Sequence, residues 1–401
     1  MSHPSEDSSN GGPLAGIRVL ELGQLIAGPF CGQLLGDFGA EVIKVERPGV
    51  GDPMREWGQV KPNRRSLWWP VISRNKKSIT IDLRTPQGQG TVRDLVTHCD
   101  IVIENFRPGR MESWGLSYDT LASINPRLVM VRISGFGQSG PYAKRAGFGV
   151  IGEAMGGLRH IVGVPDRPPT RVGIAIGDAL AGTLGAFAAL AAIIEARRSG
   201  IGQVIDMAIY EAVLAFMESL IPEYMVGNHI RERTGATLPG VAPSNVYATA
   251  DDQAILIAAN QDSVFARLAE LMSQPDLADD PRFNSHTSRG EHQKELDRIV
   301  TDWTRSLPLR DLIDLLVDRG VPAGRVYRAP DMLDDPQYVA REAIVHLRDE
   351  DFGSIPMQGV FPKLSRTPGS VRWAGPKLGE HNEEVLGGLL GFDRAAIAAL
   401  G

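Results

Sequence analysis

Short apolar segments alternate with segments of helical periodicity over the first third of the chain. The pattern predicts strands at residues 17–22, 41–46, 78–83, 101–104 and 128–133. Helices are predicted after the first strand, through Gln33 to Asp37, and after the third, from Thr85 to about Cys99. Strands separated by helices indicate βαβ units, and hence an α/β fold with a mainly parallel sheet. Ligands of such sheets bind beyond the carboxyl ends of the strands.

The segment from Ala179 to Arg198 is nearly all apolar and is followed by Ser199 and Gly200. A helix that is apolar on every side is expected to be buried on every side. Its stretch nearest to a membrane span, Ala179 to Ile194, is too short and too rich in Gly and Ala to favour one, so a buried core helix is the better interpretation and we expect no membrane partner. A further helix is predicted over residues 205–220.

The pattern changes beyond residue 222, where strand signals within 245–259 precede helical signals at 263–272, 291–306 and 309–319. This change predicts a second, smaller α+β domain. The expected organisation is a disordered N-terminal tail at 1–12, a large domain at 13–222, a small α+β domain at 223–325 and a return segment at 326–401 that completes the large domain.

Composition narrows the class of protein. Of the 401 residues, 43% are hydrophobic and 22% charged, which is typical of a globular protein. The net charge of −6 argues against a nucleic-acid partner, because phosphate binding needs a clustered basic surface. Two cysteines, Cys31 and Cys99, cannot form a disulfide framework and fit a reducing cytoplasm, so the expected location is cytoplasmic. The eight histidines lack metal-ligand spacing, and no metal is expected.

A single carboxylate, Asp178, lies between a Gly-rich apolar loop and the predicted buried helix. One interpretation is a helix N-cap, which is the usual role of an Asp at this position. The other is a nucleophile, because a helix start favours the ionised carboxylate and the apolar loop leaves it poorly hydrated. Neighbouring glycines would let a bulky substrate approach and would offer backbone N–H groups to an oxyanion. The two interpretations are compatible.

Cationic side chains stand near several strand ends, and a Gly-rich run, 135–140, follows the strand at 128–133. The run matches G-x-G-x-x-G, but a loop follows it where a dinucleotide fingerprint needs a helix, so the match is weak. One interpretation is that each is a solvated surface charge. The other is that, brought together at one sheet edge, they bind a nucleotide phosphate; the cations are Arg47, Arg74, Lys76, Lys77, Arg84 and Arg107.

A series of short motifs, in order along nearly the whole chain, resembles the CaiB/BaiF family of family III CoA-transferases. The motifs occupy residues 13–20, 27–29, 39–46, 51–53, 75–79, 104–109, 135–141, 177–178, 202–203, 320–322 and 378–381. The resemblance implies a Rossmann-like large domain whose mainly parallel sheet is formed by both chain ends, a smaller α+β domain, and an interlocked homodimer.

In that family the Asp that follows Gly attacks an acyl-CoA thioester, so the resemblance implies that Asp178 is the nucleophile. An acyl-aspartyl anhydride and then an aspartyl-CoA thioester would form on it. The resemblance also implies that coenzyme A, as the acyl-CoA substrate, is bound at Ile26, Ala27, Arg47, Ile81, Asp82, Leu83, Arg84, Asn105, Phe106 and Arg107.

Phe148-Gly149 departs from the family pattern, in which an aromatic residue and an acidic residue follow Ala-Gly. The related α-methylacyl-CoA racemases need a His at this place for two-base proton transfer, and a Phe cannot accept a proton. The departure therefore favours acyl transfer, with a racemase or another CoA-ester isomerase as the alternative.

The overall resemblance is to members that transfer CoA from succinyl-CoA to a small dicarboxylate such as malate, glutarate, hydroxymethylglutarate, itaconate or mesaconate. Arg159 and His160 are candidates to bind a distal carboxylate, although a capping or core role for His160 stays open. Asn260 and Gln261 are candidates to reach the acyl group, with a plain turn as the alternative. Gly137, Gln138 and Phe148 complete the candidate substrate contacts.

Overall fold

The computed structural model describes residues 11–400, and within them the central sheet contains six strands, all parallel. The predicted disordered tail at 1–12 lies almost entirely outside the described residues. The strands of the sheet are β1 (Arg18–Glu21), β2 (Glu41–Glu46), β3 (Lys76–Thr80), β4 (Ile101–Glu104), β5 (Val129–Ser134) and β6 (Val204–Ala208).

The strands are arranged in the order β3-β2-β1-β4-β5-β6. This is the order of the doubly wound nucleotide-binding folds, in which the chain direction across the sheet reverses between β1 and β4. Ligands of such folds bind outside the carboxyl ends of the strands at that reversal. The sheet thus places the loops after β1 and β4 side by side.

Helices cover both faces of the sheet and occur throughout the rest of the described chain. In chain order they are α1 (Ala27–Asp37), α2 (Trp68–Ile72), α3 (Pro86–Val96), α4 (Arg110–Ser113), α5 (Tyr118–Ile124), α6 (Gly149–Met155), α7 (Leu158–Ile161), α8 (Ile176–Ser199), α9 (Ile209–Leu214), α10 (Leu220–Gly227), α11 (Asp262–Leu271), α12 (His286–Glu291), α13 (Gln293–Thr304), α14 (Leu309–Asp318), α15 (Ala329–Leu333), α16 (Pro336–Ala340), α17 (Gly388–Leu390) and α18 (Arg394–Ala398).

Most of the predicted elements are confirmed, and one is wrong. The helix predicted over 205–220 begins instead as the edge strand β6, which pairs with β5 from Met130↔Val204 to Ser134↔Ala208, and the helix α9 starts only at Ile209. The edge position leaves one face of β6 exposed, so the strand carries no continuous apolar run. The segment is a strand because it pairs with β5, which lies more than 70 residues earlier in the chain.

The long helix α8 packs on the sheet and on α1 through small residues. A Cβ at Gly182 would lie 2.8 Å from the carbonyl oxygen of Ala27, so only glycine permits this approach. The helix ends at Gly200, which adopts a left-handed conformation. The expectation that α8 is buried on every side is wrong for the single chain, because Phe187 and Ile194 are each 70% exposed. The helix α8 is long and apolar enough to cross a membrane, but 44% of its most apolar 18-residue stretch is buried inside the fold.

The described residues divide into two compact units. The large unit comprises residues 11–159, 172–220 and 337–400, and the small unit comprises 160–171 and 221–336. Both ends of the chain thus belong to the large unit. The finer boundaries drawn from the sequence stay a prediction.

The return segment packs against the sheet without joining it. It forms an antiparallel pair of its own, β10 (Ile344–Asp349) with β11 (Gly353–Gln358). Further on, the N–H of His381 donates to the carbonyl of Ser78 at 3.0 Å, and the side-chain oxygen of Asn382 accepts the backbone N–H of Thr80 at 2.8 Å. The expectation that both chain ends form the sheet is therefore wrong, because every strand of that sheet lies within 18–208.

The small unit is an antiparallel sheet covered by helices. Its strands are β7 (Ser244–Ala248), β8 (Ala254–Ala258) and β9 (Ala323–Arg325), in the order β7-β8-β9. Helices α11, α13 and α14 supply the apolar core with Phe265, Leu296 and Leu312 among its members. The predicted α+β character of this region is confirmed by these elements.

Candidate active site

The loops at the carboxyl ends of β1 to β4, residues 22–27, 47–52, 81–84 and 105–107, are here called the carboxyl edge. Ten residues expected from the resemblance to bind CoA all lie on this edge. The side chains of Ala27 and Ile81 are buried in the core, so only their backbone can reach a ligand. Arg47, Arg84 and Arg107 are exposed, and Ile26, Asp82, Leu83, Asn105 and Phe106 are partly exposed.

Asn105 joins the loop after β4 to the loop after β1. Its side-chain oxygen accepts the N–H of Gln24 at 2.8 Å, and its side-chain nitrogen donates to the carbonyl of Gln24 at 2.8 Å. A Cβ at Gly23 would lie 2.7 Å from the same Asn105 oxygen. Asn105 therefore works as a backbone mimic at the chain reversal and fixes the loop that leads into α1.

A buried cluster of charges supports the same loop from below. Lys44 contacts Asp52 at 2.8 Å and Glu21 at 3.1 Å, and Lys76 donates to Glu21 at 3.1 Å. All four side chains are at most 2% exposed. Burial alone would lower the pKa of Lys44, but the Asp52 and Glu21 carboxylates outweigh it and the pKa is raised. Asp52 in turn accepts the N–H of Leu25, whose φ of 65° is unusual for a bulky residue.

The six cations proposed as a phosphate site do not come together. Arg74 is buried against Asp37 at 2.6 Å, Lys76 belongs to the buried cluster, and Lys77 binds Glu41 and Glu384. These three precede or open β3, so they stand away from the carboxyl edge, and the prediction is wrong for them.

The other three cations, Arg47, Arg84 and Arg107, lie on the carboxyl edge. Arg84 pairs with Asp82 at 2.5 Å, and this contact lowers the pKa of Asp82 to about 2. The guanidinium groups of Arg47 and Arg107 make no hydrogen bond or ion pair within residues 11–400. The edge thus presents two uncommitted guanidinium groups, which suit an anionic ligand.

Asp178 lies in the first turn of α8, as its third residue, and is half-buried. The N-cap interpretation is wrong, because Ala175 occupies that position and makes no side-chain cap. The start of a helix favours a negative charge, because the helix dipole has its positive end there. The chain places one acidic side chain in this turn.

Gly149, the first residue of α6, lies directly against the Asp178 carboxylate. A Cβ at this position would be 2.1 Å from Oδ2 and 2.7 Å from Cγ of Asp178. Gly152 and Gly156, the latter just after α6, lie on the same face. A Cβ at Gly152 would clash with Ile209, and a Cβ at Gly156 would clash with Val213. The sequence was interpreted as lacking an acidic group at position 149. In the structure, the absence of a side chain at Gly149 leaves room for the Asp178 carboxylate.

Glu153 was missed by the sequence analysis, although its side chain is fully buried beside this turn. One carboxylate oxygen, Oε1, accepts the N–H of Gly177 at 3.4 Å, and the other, Oε2, accepts Nε of Arg159 at 2.9 Å. A Cβ at Gly177 would meet Glu153 Cγ at 3.0 Å. A single buried carboxylate thus joins the residue before Asp178 to Arg159.

The remaining substrate candidates of the large unit have separate environments. Phe148 is 64% exposed at the start of α6. Gly137 has a φ of 84°, and the N–H of Gln138 donates to both Asp206 oxygens at 3.0 Å. The side-chain Nε2 of Gln138 is buried without a hydrogen-bond partner, and a buried donor of this kind is typical of a ligand site.

The candidates of the small unit have structural partners. His160 lies 3.3 Å from Glu232 at the surface. The carbonyl of Asn260 accepts Nη2 of the buried Arg289 at 2.8 Å, and Gln261 is the N-cap residue of α11. These contacts agree with the turn that was the alternative for residues 260–261. Across residues 11–400 no group of three His, Cys, Asp or Glu side chains is arranged to hold a metal ion.

Fold and site together define an α/β enzyme of the doubly wound class, with exposed arginines on its carboxyl edge and a carboxylate at the start of a core helix. The family model for CoA-transferase family III matches residues 14–382. The chain belongs to this family and is a CoA-transferase.

Curated relatives and solved structures agree with the family. The chain is 59% identical to the succinyl-CoA–D-citramalate CoA-transferase of Chloroflexus aurantiacus, over 97% of this chain and 96% of the relative. It is 39% identical to the succinate–glutarate CoA-transferase of Agrobacterium fabrum, over 96% and 97%. A CaiB/BaiF family protein from Brucella suis, 34% identical, superposes with a TM-score of 0.84, covering 94% of this chain and all of that one.

Proposed function

We propose that the enzyme transfers CoA from succinyl-CoA to a small dicarboxylic acid, with Asp178 as the covalent carrier. The proposal for the substrates rests on the relatives, which include transferases for citramalate, malate and glutarate, each named with succinyl-CoA or succinate. Citramalate, or another hydroxy-diacid of similar length, is the acceptor we favour, because the relative with 59% identity is a citramalate enzyme.

The observation that carries the mechanism is the position of the Asp178 carboxylate. It lies in the first turn of a 24-residue helix and against a residue without a side chain. A helix start favours a negative charge, and Gly149 admits the carboxylate, because any side chain at 149 would overlap it. A carboxylate in this setting is a competent nucleophile toward an activated acyl group.

In the first half of the reaction an Asp178 oxygen attacks the thioester carbonyl carbon of succinyl-CoA. The C–S bond breaks, the CoA thiolate leaves, and a succinyl-aspartyl anhydride forms. The thiolate then attacks the aspartyl carbonyl of that anhydride, succinate leaves, and an aspartyl-CoA thioester remains. In the second half the acceptor carboxylate attacks the aspartyl-CoA thioester, so that the thiolate leaves and an acceptor-aspartyl anhydride forms. The thiolate then attacks the acceptor carbonyl of that anhydride, which gives the CoA ester of the acceptor and frees the Asp178 carboxylate.

No water enters these steps, and hydrolysis of the anhydride would waste the thioester. The reaction therefore needs CoA to stay bound while its thiol changes partners. We assign this retention to the carboxyl edge, where Arg47 and Arg107 are available for phosphate groups and the backbone near Ile26 and Ala27 borders the chain reversal. Asn105 would hold that backbone in place.

We also propose that two chains form an interlocked homodimer in the cytoplasm. An exposed apolar face on α8, with Phe187 and Ile194, supports an interface, because isolated soluble chains rarely expose such residues on a core helix. The cytoplasmic location is supported by Cys31 and Cys99, which are unpaired, buried thiols whose pKa values are raised by burial.

The test is covalent trapping. Protein is incubated with succinyl-CoA, treated with hydroxylamine or borohydride, digested and analysed by mass spectrometry. We expect the modification on the peptide that contains Asp178, and we expect D178A to lose label and CoA transfer while still binding CoA. D94A, which removes an exposed Asp of α3, is the matched control and should behave as the wild type.

Two results would overturn the mechanism: label at another residue, or full turnover by D178A. The racemase alternative makes a different prediction. It requires exchange of deuterium from solvent into the α-carbon of an acyl-CoA in the absence of any acceptor acid, whereas the transferase requires the acceptor for net reaction.

A further inference from the structure

We propose that Arg159, held in place by Glu153, binds the second carboxylate of the dicarboxylic substrate and so determines the specificity of the enzyme for diacids. The inference rests on the proposed function, because it assumes that the acyl group is attached to Asp178. It adds the residue that recognises the far end of that acyl group.

The side chain of Glu153 is fully buried, and an unpaired carboxylate in that place would be strongly destabilising. Its two oxygens are divided between two partners, the N–H of Gly177 and Nε of Arg159. Glu153 therefore holds Arg159 in a fixed relation to the turn that carries Asp178.

Glu153 binds one of the three guanidinium nitrogens of Arg159. Only Nε is bonded to Glu153, and within residues 11–400 neither Nη1 nor Nη2 has a hydrogen-bond partner. The side chain keeps 23% of its surface exposed. The two Nη atoms can therefore bind a carboxylate from solvent.

The Glu153–Arg159 pair lies beside the turn that carries Asp178. A Cβ at Gly177, the residue before Asp178, would lie 3.0 Å from both Glu153 Cγ and the carbonyl oxygen of Gly149, and Gly149 lies against the Asp178 carboxylate. Arg159 Nε is bonded to Glu153 at 2.9 Å. A four- or five-carbon diacid spans about 4–5 Å between its ends, with C–C bonds of about 1.5 Å. We expect the free carboxylate of an acyl group on Asp178 to meet Arg159, because the pair borders the same turn.

A purely structural role, in which Arg159 only neutralises Glu153, makes a different prediction. In that case loss of Arg159 would affect every acyl group equally, because the damage would lie in the position of Asp178. A specificity role affects only acyl groups that carry a second carboxylate. The ratio of two matched donors separates the two roles.

Succinyl-CoA and butyryl-CoA are such donors, since both acyl groups have four carbons and only the former ends in a carboxylate. The rate of hydroxylamine-trapped label at Asp178 is measured for both at subsaturating concentration, without acceptor. We expect R159M to lower the succinyl/butyryl ratio by about 100-fold, because the site loses a charge-assisted pair of hydrogen bonds to substrate. R159K, which keeps the charge without the planar fork, should recover a small part of that ratio.

The opposite end of α8 provides a matched control. Arg198 pairs there with Glu195 at 2.7 Å on an exposed surface, so R198M makes the same substitution on the helix that carries Asp178 without touching the site. Its ratio should equal that of the wild type. R159M/E153Q, which removes the unpaired buried charge, keeps the test possible if R159M alone does not fold.

An unchanged succinyl/butyryl ratio in R159M, R159K or the double variant, with Asp178 still labelled, overturns the inference and leaves the proposed function intact. No label at Asp178 in the wild type from either donor overturns the proposed function and this inference with it.

Discussion

The carboxyl edge of the sheet and the start of α8 position ligand-facing groups in opposite ways. At the carboxyl edge, side chains with full charges are buried beneath the loops, as Lys44 and Asp52 are beneath Leu25. At the start of α8 the absence of side chains matters most, since Gly149 and Gly177 allow backbone to approach Asp178 and Glu153. A loop that must hold a large ligand is fixed by strong pairs, whereas a nucleophile that must exchange acyl partners needs free volume.

The comparison also separates two kinds of ion pair. Buried pairs such as Lys44–Asp52 fix backbone, because removing one partner leaves a charge that water cannot reach. Exposed pairs such as Arg198–Glu195 are screened by water and contribute little. Each of the following predictions tests one side of this contrast.

The largest expected effect belongs to the buried cluster. K44M leaves Glu21 and Asp52 with one fewer ammonium group, so we expect the free energy of unfolding to fall by about 3–5 kcal/mol. Urea unfolding, monitored by circular dichroism, measures the change. Lys77 on the next strand pairs at the surface with Glu41, and K77M should cost no more than about 1 kcal/mol.

If K44M and K77M proved equally stable, burial would not distinguish the two pairs, and the contrast between the carboxyl edge and the start of α8 would lose its basis.

Local pattern was enough to predict most of the large unit. β2 and β4 begin and end at the predicted residues, because their apolar runs are short and bounded by polar or turn residues. Asp178 was found because a carboxylate between glycines and an apolar helix is a local feature. β6 was not found, since its strand character comes from pairing with β5 across the sheet.

The parts of the site that escaped prediction depend on contacts between distant segments. Glu153 lies 24 residues from Gly177, and nothing in its immediate neighbours marks it as the buried partner of Arg159. Gly149 was interpreted as the loss of an acidic group, because its contact with Asp178 is visible only in three dimensions. Periodicity reports which face of an element is apolar, and it does not report which segments meet.

The second prediction tests the close contact between Gly149 and the Asp178 carboxylate at the start of α8. G149A adds a Cβ 2.1 Å from Oδ2 of Asp178 at a residue whose backbone is not left-handed, so the carboxylate must move while the helix persists. We expect kcat to fall by about 100-fold, the usual effect of misplacing a reacting group by about 1 Å. Steady-state kinetics with succinyl-CoA measure the loss.

Gly90 in α3 is the matched control, because a Cβ there meets nothing within 4 Å. G90A should leave kcat unchanged and should stabilise the helix by up to about 1 kcal/mol. Wild-type kcat in G149A would show that the carboxylate has room to spare, and the contrast between the two regions would then fail at the start of α8.

The smallest expected effect concerns the exposed cations of the carboxyl edge. Arg47 follows β2, and its guanidinium group makes no hydrogen bond or ion pair among residues 11–400, so R47A removes that group without breaking a side-chain contact of this kind. If this group binds a CoA phosphate, KM for succinyl-CoA should rise by about tenfold at low salt and kcat should stay within about twofold. Raising the ionic strength should shrink the difference, because salt screens an exposed charge.

R127A, which removes an exposed Arg beside the amino end of β5, provides the reference at the opposite edge of the sheet and should change neither constant. Equal KM values for R47A and R127A would mean that the phosphates bind elsewhere, and that the carboxyl edge holds its ligand through backbone alone.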